Sequence, residues 1–258
     1  MKQLSLEAKA RHMGNLLLIN AEHPLCWDAN PLQLVPVDEA HPHLYLHREA
    51  QSMLKNLLQS LSTEDEIVPV SGYRSRAEQS RIYADSLREN GPVFTQSYVA
   101  RPDHSEHQSG LAIDLGEKQG EIDFLCPAFP YHGICQKLRE KAPAFGFIER
   151  YGQGKEAITG VGHEPWHFRY LGYPHSLLLS NMGLTLEEYC EYLKRFPEDG
   201  EHLFFSAGGH RAEIYYIPFR GESKVISIPD HIPYQLSGNN YDGVVLTLWH
   251  IQKPAWRT

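Results

Sequence analysis

The chain has 258 residues, of which 41% are apolar and 22% charged, with four cysteines and a formal net charge of −8. That length corresponds to one large domain, or one domain with an appendage, and buries enough surface to be stable without disulfides. The acidic balance and the lack of a long basic run exclude nucleic acid and an anionic membrane as main partners. Cys26, Cys126, Cys135 and Cys190 form no CxxC pair, so they are expected to be reduced and mostly buried. The apolar run Leu16–Ile19 is too short for a secretory signal or a membrane anchor, and the expected location is the cytoplasm.

Leu4, Ala8, Met13, Leu16 and Leu17 follow a rough 3.6-residue period, which predicts a helix over 4–18. Pro-broken extended chain follows, and then a helix over 47–61 with Met53, Leu54, Leu57, Leu58 and Leu61 as its stripe. "EIVPVSGYRS" reads as a short strand ending in a turn. Ser75, with Glu78 three residues on, forms a capping-box signature for a helix that Gly91-Pro92 stops. "GLAIDLG" reads as a strand carrying Asp114, and "YHGICQKLREKAPAFGF" as a helix. "EPWHFRYLG" is an aromatic-rich strand, and "TLEEYCEYLKRF" a helix capped by Thr185. Beyond Pro197, "HLFFSA", "RAEIYYIPF", "KVISIP" and "GVVLTLW" are short β-type runs between turn residues. The fold class is therefore α+β, with helices around a small antiparallel sheet over 1–200 and a β-rich appendage over 201–258.

Catalytic zinc sites use three protein ligands and keep a fourth position for water. In "SEHQSGLAIDLG", His107 and Asp114 supply two ligands, and a carboxylate in an apolar run needs a cation. "HEPWHFRY" supplies a third ligand, His167, and a general base, Glu164. On a regular strand residues three apart face opposite ways, but Pro165 argues against regular pairing there. A turn at Pro165 would bring Glu164 round to the metal. His104, His163 and His175 fall outside this spacing, and Trp166 and Tyr170 are read as packing residues. Asp114 could instead be a strand-end acid paired with an arginine. Arg74 could be a structural salt-bridge donor or a pocket residue. Gln79 could face solvent.

Ser105, His107, Gly110, Ala112 and Asp114 in "SxHxxGxAxD", followed by Glu164 and His167 in "ExxH", resemble the zinc D-alanyl-D-alanine metallopeptidases. That group includes the vancomycin-resistance carboxypeptidases and dipeptidases and is related to the hedgehog zinc domain. "SGYRS", "EAITGVGHEPWHFRYLGYPHS" and "LTLEEYCEYL" are most similar to its bifunctional VanXY-type members, over about residues 16–195.

The resemblance implies Zn2+ on His107, Asp114 and His167, with Glu164 as acid–base. It also implies Arg74 at the tetrahedral oxyanion and Ser105 and Gln79 at the terminal carboxylate of the substrate. Zinc would activate water and polarise the scissile carbonyl. The implied substrates are free D-Ala-D-Ala and the muramyl pentapeptide precursor. Ser71, before Gly72, is neutral and offers no carboxylate to a free ammonium, which leans towards carboxypeptidase activity. Glu121 or Asp123 in an acidic rim over 117–129 could compensate. Alternatives are an endolysin-like L-alanyl-D-glutamate peptidase, a non-catalytic hedgehog-like zinc module and a wall- or partner-binding role for the tail; a retained Glu164 speaks against the second.

Overall fold

The computed structural model describes residues 1–61 and 66–250. In chain order its strands are β1 (Lys2–Glu7), β2 (Leu34–Pro36), β3 (Tyr45–His47), β4 (Ile67–Ser71), β5 (Ala112–Glu117), β6 (Phe147–Tyr151), β7 (Glu164–Tyr170), β8 (Leu203–Ala207), β9 (His210–Pro218), β10 (Ser223–Ile228), β11 (Tyr234–Gly238) and β12 (Gly243–Trp249). The helices are α1 (Arg48–Leu61), α2 (Arg76–Glu89), α3 (Gly91–Tyr98), α4 (Gly133–Lys141), α5 (Glu156–Thr159), α6 (His175–Met182) and α7 (Leu186–Leu193). The chain divides into two compact units, Ile19–Glu187 and Met1–Leu18 with Glu188–Thr258.

The larger unit is built on an antiparallel sheet in the order β4-β5-β7-β6. Ile113 and Leu115 of β5 and Phe168 of β7 pack in one core with Leu54 and Leu57 of α1 and Leu138 of α4. Strand alternation therefore turns Asp114 and His167 to the opposite face, where they are direct partners across β5 and β7. Ser75 caps α2 by accepting the Glu78 amide at 3.2 Å, as the capping signature predicts.

Two irregularities shape the sheet beside this pair. An extra residue in β4 between Pro69 and Ser71 sets Ser71 opposite Asp114. Between β6 and β7 the pairs Glu149↔Phe168 and Tyr151↔Glu164 enclose a second shift, at Pro165. Such bulges re-aim side chains. Glu164 therefore lies within β7, where the sequence predicts a turn, and the shifted register achieves the same reorientation. Pro165 falls within this shifted stretch, where a missing N–H is tolerated, and its carbonyl accepts Arg139 Nη2 at 3.2 Å.

The smaller unit holds the sheet β11-β12-β9-β8 and the pair β1-β10. Leu6, Ile217, Ile226 and Leu246 share its core. The helix predicted over 4–18 is not formed: β1 and a 3₁₀ turn over Ala8–His12 replace it. Leu4 and Leu6 stand two apart, and β10, more than 200 residues away, supplies the pairing edge. A local 3.6-residue count does not see such a partner. The first residues thus join the β-rich region, which forms a larger unit than the appendage read at 201–258; residues 251–258 lie outside the described residues. None of the four cysteines forms a disulfide: Cys135 and Cys190 are buried, Cys126 is half-buried and Cys26 is exposed. Among the described residues no helix is long and apolar enough to cross a membrane.

His175, at the start of α6, is buried, and burial pushes its pKa down to about 3. The folded state then binds fewer protons than the unfolded state between about pH 3 and the ordinary histidine value of 6.5. Stability rises with pH across that window and is lost as pH falls, by up to about 1.4 kcal/mol per pH unit from this group. His175→Gln should flatten the urea midpoint between about pH 5 and 6.5. An unchanged slope would assign the pH dependence to other groups.

Candidate metal centre and its cleft

His107 sits on the 3₁₀ turn Glu106–Ser109, which Gly110 closes in the left-handed conformation (φ 72°). The positive φ is what calls for glycine there; a Cβ would also press on Leu34 Cδ2, the movable end of a side chain. His107 Nδ1 donates to the Gly72 carbonyl at 2.7 Å, which leaves Nε2 facing Asp114 Oδ2 at 3.1 Å. Gly72 in turn passes so close to Tyr45 that a Cβ there would lie 2.4 Å from its carbonyl oxygen.

Across the sheet, His167 Nδ1 lies 3.0 Å from Asp114 Oδ1 and Nε2 lies 3.3 Å from Glu106 Oε2. One ligand atom from each of His107, Asp114 and His167 fits within a 4.8 Å separation, and all three residues are buried. Two imidazoles and one carboxylate are the donor chemistry of a three-ligand zinc site. Each histidine also has its other ring nitrogen on an oxygen acceptor, which fixes the ring and the nitrogen it presents. The residues present fit a divalent metal.

Burial lowers His107 to about 4, with Arg74 adding to the effect, so its imidazole is neutral at pH 7 as a ligand must be. Burial opposes charge on His167, but hydrogen bonds to Asp114 and Glu106 outweigh it and hold the pKa up at about 9, so a metal binding there would displace a proton from this ring. Asp114 is held well below the usual carboxylate range: burial works against ionisation and the two histidines overcome it. Burial pushes Glu164 up to about 8 against the opposing charge of His167. Its Oε2 lies 3.7 Å from His167 Nδ1.

The site opens on a cleft of about 440 Å³ lined by Arg74, Ser105, Tyr151, Glu164 and Trp166 as well as the three metal-type residues. Arg74 Nη2 donates to Asp114 Oδ2 at 2.9 Å, and its Nε donates to Ser71 Oγ at 2.8 Å. The structure does not bring Ser71 or Gln79 to the cleft wall. Ser71 is spent on Arg74; Gln79 is fully buried rather than solvent-facing and donates to the Ala100 carbonyl at 2.7 Å. Asp123 Oδ1 accepts the backbone amides of Leu125 and Cys126, and neither Glu121 nor Asp123 lines the cleft. His104 lines the cleft with Nδ1 on the Asn20 carbonyl at 2.7 Å, and His163 pairs with the Tyr131 hydroxyl at 2.7 Å. Trp166 and Tyr170 both pack in the core, and Trp166 also reaches the cleft.

Sequence reasoning missed Glu106, which touches His167, and Arg150 and Arg169, which hold Glu106. A signal was present: "FIERY" and "HFRY" each put an arginine inside an apolar strand, and a buried cation requires an anion.

A buried two-histidine, one-aspartate cluster on and beside the two inner strands of an antiparallel sheet, with Glu164 next to it and open to a cleft, has the make-up of a metallopeptidase site. Residues 43–173 match the family described as VanY, D-alanyl-D-alanine carboxypeptidase, and the chain belongs to that family. It is 42% identical over 182 residues to the bifunctional D-Ala-D-Ala dipeptidase and D-Ala-D-Ala carboxypeptidase VanXYC of Enterococcus gallinarum, covering 70% of this chain and 96% of that protein. A D-alanyl-D-alanine carboxypeptidase of Enterococcus faecium is 30% identical over 250 residues, covering 92% of this chain and 76% of that one. Among solved structures, the vancomycin-resistance D,D-dipeptidase VanXYg in complex with a D-Ala-D-Ala phosphinate analog superposes with TM-score 0.93 at 48% identity, over 96% of this chain and 99% of that one. That likeness therefore takes in most of the region beyond 201. A VanY D,D-pentapeptidase from a VanB-type resistance cassette, in complex with Zn(II), is 26% identical with TM-score 0.54, over 68% and 98% of the two chains.

Proposed function

We propose that this chain is a zinc-dependent D,D-peptidase of the cytoplasm that hydrolyses the D-Ala-D-Ala terminus of peptidoglycan precursors, as a carboxypeptidase with accompanying dipeptidase activity. The observation that carries the reading is the convergence of His107, Asp114 and His167 within 4.8 Å of one another, in a cleft that Glu164 also lines. The activities named for its relatives support the choice of substrate.

His107, Asp114 and His167 would hold the ion. When bound, zinc supplies Lewis acidity and a nucleophile at neutral pH. Glu164 takes the proton of the attacking water and delivers it to the leaving amine nitrogen. Arg74, held by Ser71 and Asp114, donates to the oxyanion that develops on the scissile carbonyl. Ser105 donates to the terminal carboxylate of the substrate from the cleft wall. Among the described cleft residues the only carboxylates are Glu106, Asp114 and Glu164, and each has a partner there. A free carboxylate for a dipeptide's ammonium is thus not among them, which favours longer substrates with a blocked amine.

The test is D-Ala release from two substrates, D-Ala-D-Ala and a pentapeptide ending in D-Ala-D-Ala, by zinc-loaded protein. Release from both is expected, with the larger kcat/KM on the pentapeptide. No release from either, or cleavage between L-Ala and D-Glu instead, would sink the reading.

A further inference from the structure

Glu106 precedes His107 in sequence, yet the proposed reaction does not use it. Its side chain is fully buried. Oε1 meets Arg150 Nε at 2.9 Å and Arg169 Nη1 at 2.8 Å, which leaves Oε2 to face His167 Nε2 at 3.3 Å. Arg150 is itself gripped by both oxygens of Glu187, at 2.9 and 2.6 Å. Buried ion clusters are costly to desolvate, and apolar packing often serves stability as well, so stability alone does not account for this one.

The two histidines differ in a way that does account for it. His107 rests on a neutral carbonyl, Gly72, whereas His167 rests on a carboxylate that two guanidiniums lock in place. A carboxylate behind an imidazole both fixes the tautomer and raises the basicity of the nitrogen it leaves free. With Nε2–H directed to Glu106, the free nitrogen is Nδ1, the atom that faces Asp114 at 3.0 Å.

We propose that Glu106 is a positioning residue, locked by Arg150 and Arg169, that holds His167 with Nδ1 presented to the metal and tightens metal binding. The proposal rests on the metal reading of His107, Asp114 and His167.

Two measurements test it. In the zinc-loaded wild-type protein, nitrogen-15 NMR of the histidines should find the His167 proton on Nε2 and none on Nδ1; the reverse tautomer overturns the proposal whatever the variants do. Second, chelator competition gives the zinc Kd. In E106Q it should rise about 10–100-fold. E106D keeps the charge beside the arginines but draws it back by one methylene, so it should fold where E106Q fails and still bind zinc more weakly. E187Q disturbs the same ion cluster without touching His167, so it should lower the melting temperature and leave the zinc Kd within about twofold of wild type. A wild-type Kd in folded E106Q or E106D overturns the positioning role. Failure of the wild-type protein to bind zinc would instead overturn the metal reading.

Discussion

Glu164→Gln is expected to retain the metal and lose turnover by about 10²–10⁴-fold, equivalent to about 3–5 kcal/mol of barrier. The amide nearly matches the carboxylate in shape but accepts no proton from the attacking water. Metal retention follows because Glu164 stands outside the converging trio, 3.7 Å from His167 Nδ1. The fold should tolerate the change, since the carboxyl is buried and burial already disfavours its charge. Metal content of the dialysed variant and single-turnover D-Ala release are the two readings. Full metal with near-native release would move the proton-transfer role to another group; lost metal would make Glu164 a ligand.

Of the three converging residues only Asp114 stands out against its local context; His107 and His167 were legible through their spacing to partners and the family resemblance. A carboxylate in the apolar run around Asp114 calls for a cation, and "ExxH" supplies a ligand and a base together. The Ser75 cap and the stripe of α1 were legible because their causes are local. What failed to show depends on partners distant in sequence. β1 exists because β10 pairs with it, and the tail strand β11, which carries Gln235 and Ser237, exists because β12 does. β6 was hidden in the continuation of a helix pattern, which Gly146 ends in the left-handed conformation. The register shift at Pro165 was half legible: proline announces an irregularity, but only the pairing with Tyr151 shows that the chain stays in the sheet. Glu106 was lost because a charged residue beside a histidine reads as solvated surface until Arg150 and Arg169 arrive from two other strands.

Arg74→Lys should lower kcat by about 10²–10³-fold, the typical cost of removing an oxyanion donor. The native guanidinium does three things at once. Nε reaches Ser71 Oγ, Nη2 reaches Asp114 Oδ2, and the planar group lies 5.5 Å from the Phe124 ring centroid. Lysine keeps the positive charge but carries a single nitrogen, so it cannot span Ser71 and Asp114 together or aim a fixed fork into the cleft. Asp114 also keeps its contacts to His107 and His167 in the variant, so the metal group has no reason to dissolve. The prediction is therefore a split: kcat falls, while zinc content stays at the wild-type level and the melting temperature changes little. The opposite split, a collapsed melting temperature with an unchanged rate per folded molecule, would make Arg74 the structural counter-ion of Asp114 and leave the oxyanion to another donor on the cleft wall.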